Sequence, residues 1–207
     1  MGSPYFYAIE MPIRAHQLVT DLWPCVEGRD YKEYGGPLAT TFLVAMAGPM
    51  INFPYERLYR PNDNKDEREI HLKTTDDFDG MIRPAAFGGT PFFLGGAWRY
   101  TYVDNPDVSV LAIPPHVLAE LAAPEAQPAA AKVDTETWFN CLRHCLAHST
   151  IAYLDKDGLQ IPKAPTEMIA FVSEHRVNKK HVGNHVFRIT RADFRAFLDV
   201  WVEWLQS

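Results

Sequence analysis

The chain has 207 residues, of which 47% are hydrophobic, 22% charged and 13% aromatic, a balance that excludes a disordered tail, a collagen-like chain and a coiled-coil rod. A polypeptide of this length buries roughly 70% of its unfolded surface, so it needs no covalent or metal staple. The net charge of −6 argues against nonspecific adhesion to nucleic acid over the whole surface.

Residues 11 to 23 carry a loose helical pattern through Ile13, Leu18, Val19 and Leu22, and Pro24 is expected to end it. Leu38 to Met50 is apolar nearly all round and reads as a central core helix, too interrupted by Gly48, Pro49 and Asn52 to cross a membrane. It runs into Pro54-Tyr55-Glu56-Arg57. The stretch from Pro61 to Gly80 holds seven acids and three bases and reads as an exposed, mobile segment. It opens an irregular insertion expected over residues 61 to 113, whose Gly-Gly pairs at 88 and 95 read as turns.

A short helix is expected over Pro114 to Leu121, and Ala122 to Lys132 has the composition of an Ala/Pro linker. Asp134 then caps a helix whose Trp138, Leu142, Cys145 and Leu146 recur at three- and four-residue spacing. Ile151–Leu154 and Met168–Val172 read as two short strands of a hairpin. Thr190 with Asp193 three residues on opens a last helix bearing Phe194, Phe197, Leu198, Trp201, Trp204 and Leu205. The fold class expected from these elements is mainly α: one helical-bundle domain with a small β-hairpin. Cys25, Cys141 and Cys145 cannot all pair, and no basic region followed by an apolar run opens the chain. A soluble protein of the reducing cytoplasm is therefore expected.

Charge is uneven. Between His175 and Arg195 six bases (Arg176, Lys179, Lys180, Arg188, Arg191, Arg195) face one acid, a local +5 against −11 elsewhere. Such a run is commonly a solvated face, but it also suits a phosphate backbone, which makes Arg176, Lys179, Lys180 and Arg188 candidate RNA contacts.

The chemistry concentrates in Trp138 to Tyr153, where Arg143, His144 and His148 share one helix. An Arg, a polar residue next to it, and a His after four intervening residues, framed by Leu142, Leu146-Ala147 and Ser149, resemble the signature of the HEPN superfamily. Ser149 departs from the commoner Gly. Pro54-Tyr55-Glu56-Arg57 resembles the end of the first bundle helix in plasmid-borne and mobile-element members. The resemblance implies a helical bundle that homodimerises, and a metal-independent endoribonuclease site shared across the dimer axis, of the kind found in toxins and defence effectors. It further implies RNA as substrate, an antitoxin or regulatory protein as a second partner, and no cofactor. A catalytically silent nucleotide- or protein-binding module on the same frame is the alternative.

Arg143 and His148 point about 140° apart on a helix, so two helices meeting across a two-fold axis would aim them better than one. His148 could move a proton to or from a ribose oxygen, with His144 assisting by hydrogen bonding. Arg143 could fork onto the phosphate, oriented by Glu56. Cleavage would leave a 2′,3′-cyclic phosphate and a 5′-hydroxyl. His144 with His148, or Cys141 with Cys145, could instead begin a metal site, but third and fourth ligands are not evident and none is expected. Trp201 and Trp204 read as core or dimer interface rather than base-stacking residues.

Overall fold

A computed structural model describes residues 6–59, 80, 85–104 and 107–207. The acidic stretch 61–79 and the first part of the expected insertion lie outside the described residues. Helices α1 (Tyr7–Glu27) and α2 (Ala39–Pro54) pack against each other, and a π-helical turn, Tyr55–Tyr59, continues α2. Strand β1 (Arg99–Val103) is followed by α3 (Pro115–Ala122), α4 (Ala126–Lys132) and α5 (Thr135–His148). Then come β2 (Ile151–Leu154), β3 (Met168–Val177), β4 (Lys180–Thr190) and α6 (Arg191–Gln206).

The fold is mixed α/β, not the mainly helical bundle expected from the sequence. Four antiparallel strands form one sheet in the order β1-β4-β3-β2. Its Ile169, Phe171, Phe187 and Ile189 face a helical layer in which α5 and α6 pack with α1 and α2. Its Ala170, Val172 and Val186 face the other way, onto Ile113, Val117, Leu118 and Leu121 of and before α3. This double burial explains why β4 escaped the sequence reading. A central strand covered on both faces does not alternate apolar with polar residues, and β4 also carries His185, Asn184 and Arg188 in its interior.

Three further expectations are corrected. Residues 122–132 are no linker: α4 sets Ala126 and Ala130 into the core, and Pro128 is tolerated in its first turn, where backbone N–H groups have no helical acceptor. Ala131 lies so close to Gly88 that a Cβ on the glycine would collide with it. The described part of the insertion is irregular but packed through residues 87–98, as read, with Phe87, Phe92 and Trp98 buried, but Arg99–Val103 within it forms the edge strand β1. Helix α1 continues through Pro24 to Glu27. The cap of α6 forms as read, the Thr190 hydroxyl accepting from the Asp193 N–H at 3.0 Å.

Trp98 joins the layers. Its ring lies 5.6 Å from Trp138 of α5, 6.2 Å from Phe171 of β3, 6.4 Å from Phe187 of β4 and 5.3 Å from Phe197 of α6. Buried aromatic truncations of this kind destabilise by about 3–5 kcal/mol. Trp98→Ala is therefore expected to lower the free energy of unfolding by that amount in a denaturant titration; a loss below about 1 kcal/mol would show that the layers meet through other contacts.

Candidate functional site

Helix α5 starts where Thr135 anchors it: its backbone N–H and its hydroxyl both donate to the Ala85 carbonyl, at 3.0 and 2.7 Å. From there Trp138, Phe139, Cys141, Leu142 and Cys145 are buried, against α2 on one side and β3 on the other. Arg143 and His144 are left half-buried and His148 exposed. Ser149 ends the helix in the left-handed region at φ 57°, and its N–H donates to the Cys145 carbonyl. That conformation favours Gly, which accounts for the strain carried at the position where this chain has Ser.

Four sequence-nominated residues gather at this end. The π-helical turn brings Glu56 to Arg143, with Oε1 at 3.6 Å from Nη1, and the guanidinium lies over the Tyr55 ring at 5.1 Å. Tyr55 is itself held by its hydroxyl on Asn140 of α5. The His144 and His148 rings stand 4.5 Å apart. Burial, then the neighbouring His148 and Arg143, hold the His144 imidazole below its usual range, so it stays neutral where an exposed His would begin to charge. Arg176 acts on His144 in the same sense and Glu174 in the opposite one, across the packing of α5 on β3.

The basic run divides in three dimensions. Ten residue steps along β4 span about 33 Å, so its two ends cannot share one patch. Arg176, Lys179 and Lys180 are exposed on the β3–β4 hairpin, whose tip turns through Asn178 and Lys179 at positive φ. Arg188, nominated as an RNA contact, is only 5% exposed, and its guanidinium donates to the Leu121 carbonyl at 2.9 Å. Beside it Arg99 donates to the Ala123 carbonyl at 2.9 Å, so both cap the carboxyl end of α3. Burial and the Arg99 charge bring Arg188 down to about 10. Arg191 pairs with Glu167 at 3.1 Å, and Arg195 covers the Trp23 ring. What remains for a ligand is the hairpin.

Beyond the nominated residues, the sheet carries a second cluster. The Tyr100 hydroxyl lies 2.9 Å from His185 Nδ1, and the Tyr102 hydroxyl 3.0 Å from His175 Nδ1. The two imidazoles are 5.0 Å apart. Burial, followed by the nearby His175, takes His185 down to about 4, and burial pushes Tyr100 up to about 12. The sequence signal for this cluster was present in His175 and His185, but it needed the register of β1 on β4 to be legible.

Cys141 and Cys145 are buried free thiols, with Cys141 raised well above its usual value mainly by burial. Among the described residues no group of three or more His, Cys, Asp or Glu is placed to hold a metal ion. Trp201 is buried and donates its indole N–H to the Met50 carbonyl at 2.9 Å, which leaves no face for a base. Grooves of about 480 and 530 Å³ flank β2 and α3 without including any nominated site residue. Among the described residues no helix is long and apolar enough to cross a membrane. Comparison with family models, curated proteins and solved structures finds no match to this chain.

The depressed His185 value has a consequence for stability. An unfolded His titrates near 6.5 and this one near 4, so between those values the unfolded chain binds the extra proton and the folded state loses ground as pH falls. The full contribution is present above pH 6.5, and no more is lost from this group below pH 4. The thermal midpoint of the wild type is expected to drop more steeply than that of His185→Gln between pH 6.5 and 4; parallel curves would remove His185 from the account.

Proposed function

We propose that this chain cleaves single-stranded RNA without a metal ion, in the manner of the HEPN proteins that its α5 motif resembles. The observation that carries this reading is the meeting of two sequence-distant groups. The imidazole pair His144–His148 stands on α5, which packs along β3, the strand that leads into the exposed basic hairpin, and the Arg176 charge there helps to disfavour the charged form of His144. A strand of RNA lying along Lys179, Lys180 and Arg176 would bring its phosphates to the end of α5.

The chemistry needs a base and an acid at one phosphodiester. His144, kept neutral by its surroundings, takes the proton from a ribose 2′-hydroxyl, and the 2′-oxygen attacks phosphorus. The bond to the 5′-oxygen breaks as His148, in its imidazolium form, donates a proton to that oxygen. Arg143 stabilises the charge gathering on the non-bridging oxygens, and Glu56 limits where its guanidinium can point. The product ends are a 2′,3′-cyclic phosphate and a 5′-hydroxyl. Arg143 and His148 diverge along the helix, so a homodimer that sets α5 of two copies around one groove completes the arrangement.

His148→Ala is expected to lower the cleavage rate 10²- to 10⁴-fold while leaving RNA binding nearly unchanged. Cleavage should persist in excess EDTA, and the acid limb of the pH profile should lie below the ordinary His value of 6.5. Neutralising Arg176, Lys179 and Lys180 together should weaken binding at low salt and flatten its salt dependence. Equal behaviour of the wild type and His148→Ala in both assays would sink the catalytic role. Loss of activity on chelation, restored by zinc, would replace side-chain chemistry by metal chemistry. Binding without cleavage under any condition would leave a silent binding module.

A further inference from the structure

The face of the sheet that meets the helices does not end where the helices do. Along β3 it runs Ile169, Phe171, Ser173, His175, and along β4 it runs Ile189, Phe187, His185, the first two on each strand belonging to the core. β2 pairs with β3 no further than Phe171, and β1 pairs with β4 no further than Asn184. The hairpin beyond is therefore a two-stranded ribbon, and His175 and His185 lie at its root. β1 adds Tyr100 opposite Phe187 and Tyr102 opposite His185.

These four rings form one assembly. Tyr100 packs on Phe187 at 4.6 Å, which ties the assembly to the core. Tyr102 lies 5.3 Å from His185 and 5.5 Å from His175. It reaches across β4 only because residue 183 is Gly: a Cβ there would collide with the Tyr102 hydroxyl and the Val103 carbonyl. Each tyrosine hydroxyl is fixed on an imidazole Nδ1, so the rings are held in place before anything binds. Tyr102 nevertheless keeps 38% of its surface exposed.

We propose that Tyr102, with His175 and His185, forms a stacking subsite for an unpaired RNA base, beside the phosphate path along Arg176, Lys179 and Lys180. The proposal rests on the RNA reading above and names how the same site would grip its substrate. Single-strand binders combine an aromatic platform for bases with cations for the backbone, and here the platform stands at the root of the ribbon that carries the cations. The charge is complementary to a polyanion, since Glu174 is paired with Arg176 and the two lysines at the tip stand exposed. The subsite itself is uncharged at neutral pH where His185 is concerned, which suits the face and edge of a base better than a second phosphate. A duplex would hide the base faces, so the occupant is single-stranded.

The test uses a short 2′-O-methyl oligouridine carrying one 2-aminopurine, which lacks the free 2′-hydroxyl and stays intact. Wild-type protein should quench the 2-aminopurine on binding. Replacing that base by an abasic residue should weaken wild-type binding about 5- to 150-fold, the usual worth of one stacked base, and this comparison needs no protein variant. Tyr102→Ala should show the same loss, with no further loss on the abasic strand, whereas Tyr102→Phe, which keeps the ring and loses only its hydroxyl contact to His175, should keep the quench and most of the binding. Removing charge from Lys179 and Lys180 should weaken both strands equally. An unchanged Tyr102→Ala, equal wild-type affinity for both strands, or a Tyr102→Phe as weak as the alanine variant would each overturn the subsite and leave the RNA reading standing. No binding of either strand by the wild type would overturn both.

Discussion

The packing of Trp98 against aromatic rings from α5, α6, β3 and β4 is the contact on which the remaining geometry depends. Phe87 stacks on Trp138 at 4.1 Å and extends the same cluster to the turn before β1. Aromatic rings at such distances add to the area they bury through edge-to-face contacts. With Trp138 seated there, α5 is fixed along β3, and its last turn falls where β2 no longer covers that strand. His144 thereby comes within electrostatic reach of Glu174 and Arg176, a placement set by the core about two turns away.

Positive charge is used in two ways. Arg99 and Arg188 spend theirs inside, on the carbonyls at the end of α3, where a carboxylate is replaced by the negative end of a helix. Arg191 pairs with Glu167, and Arg195 covers Trp23 of α1. Within the 175–195 run, only the ribbon presents its cations outward. A chain with a net charge of −6 can therefore still offer a polyanion a confined landing place, and that place adjoins the only pair of close imidazoles on α5.

The histidines divide by environment in the same way. His185 sits among Tyr100, Tyr102 and His175, and burial denies it a proton at neutral pH. His144 is less enclosed, and its shift comes from burial together with neighbouring cations. A neutral imidazole beside cations can accept a proton without first losing one, which is the property a base needs. The π-helical turn that continues α2 adds a further constraint by presenting Glu56 to Arg143.

Local signals in the sequence determined the elements whose periodicity is their own: the apolar run of α2, the helix after Asp134, α6 with its side-chain cap, and the strand pair Ile151–Leu154 with Met168–Val172. They also determined the gathering of Arg143, His144 and His148 on one helix, since helical periodicity is a property of neighbours. Tertiary structure decided the rest. β1 and β4 become strands by pairing with each other across more than eighty residues, and the Ala126–Lys132 helix is held by burying Ala126 and Ala130 in the core. The fate of each arginine in the 175–195 run was likewise decided by what lies opposite it: charge is written in the sequence, but whether a charge faces water or a helix end depends on long-range pairing that no window of neighbouring residues contains.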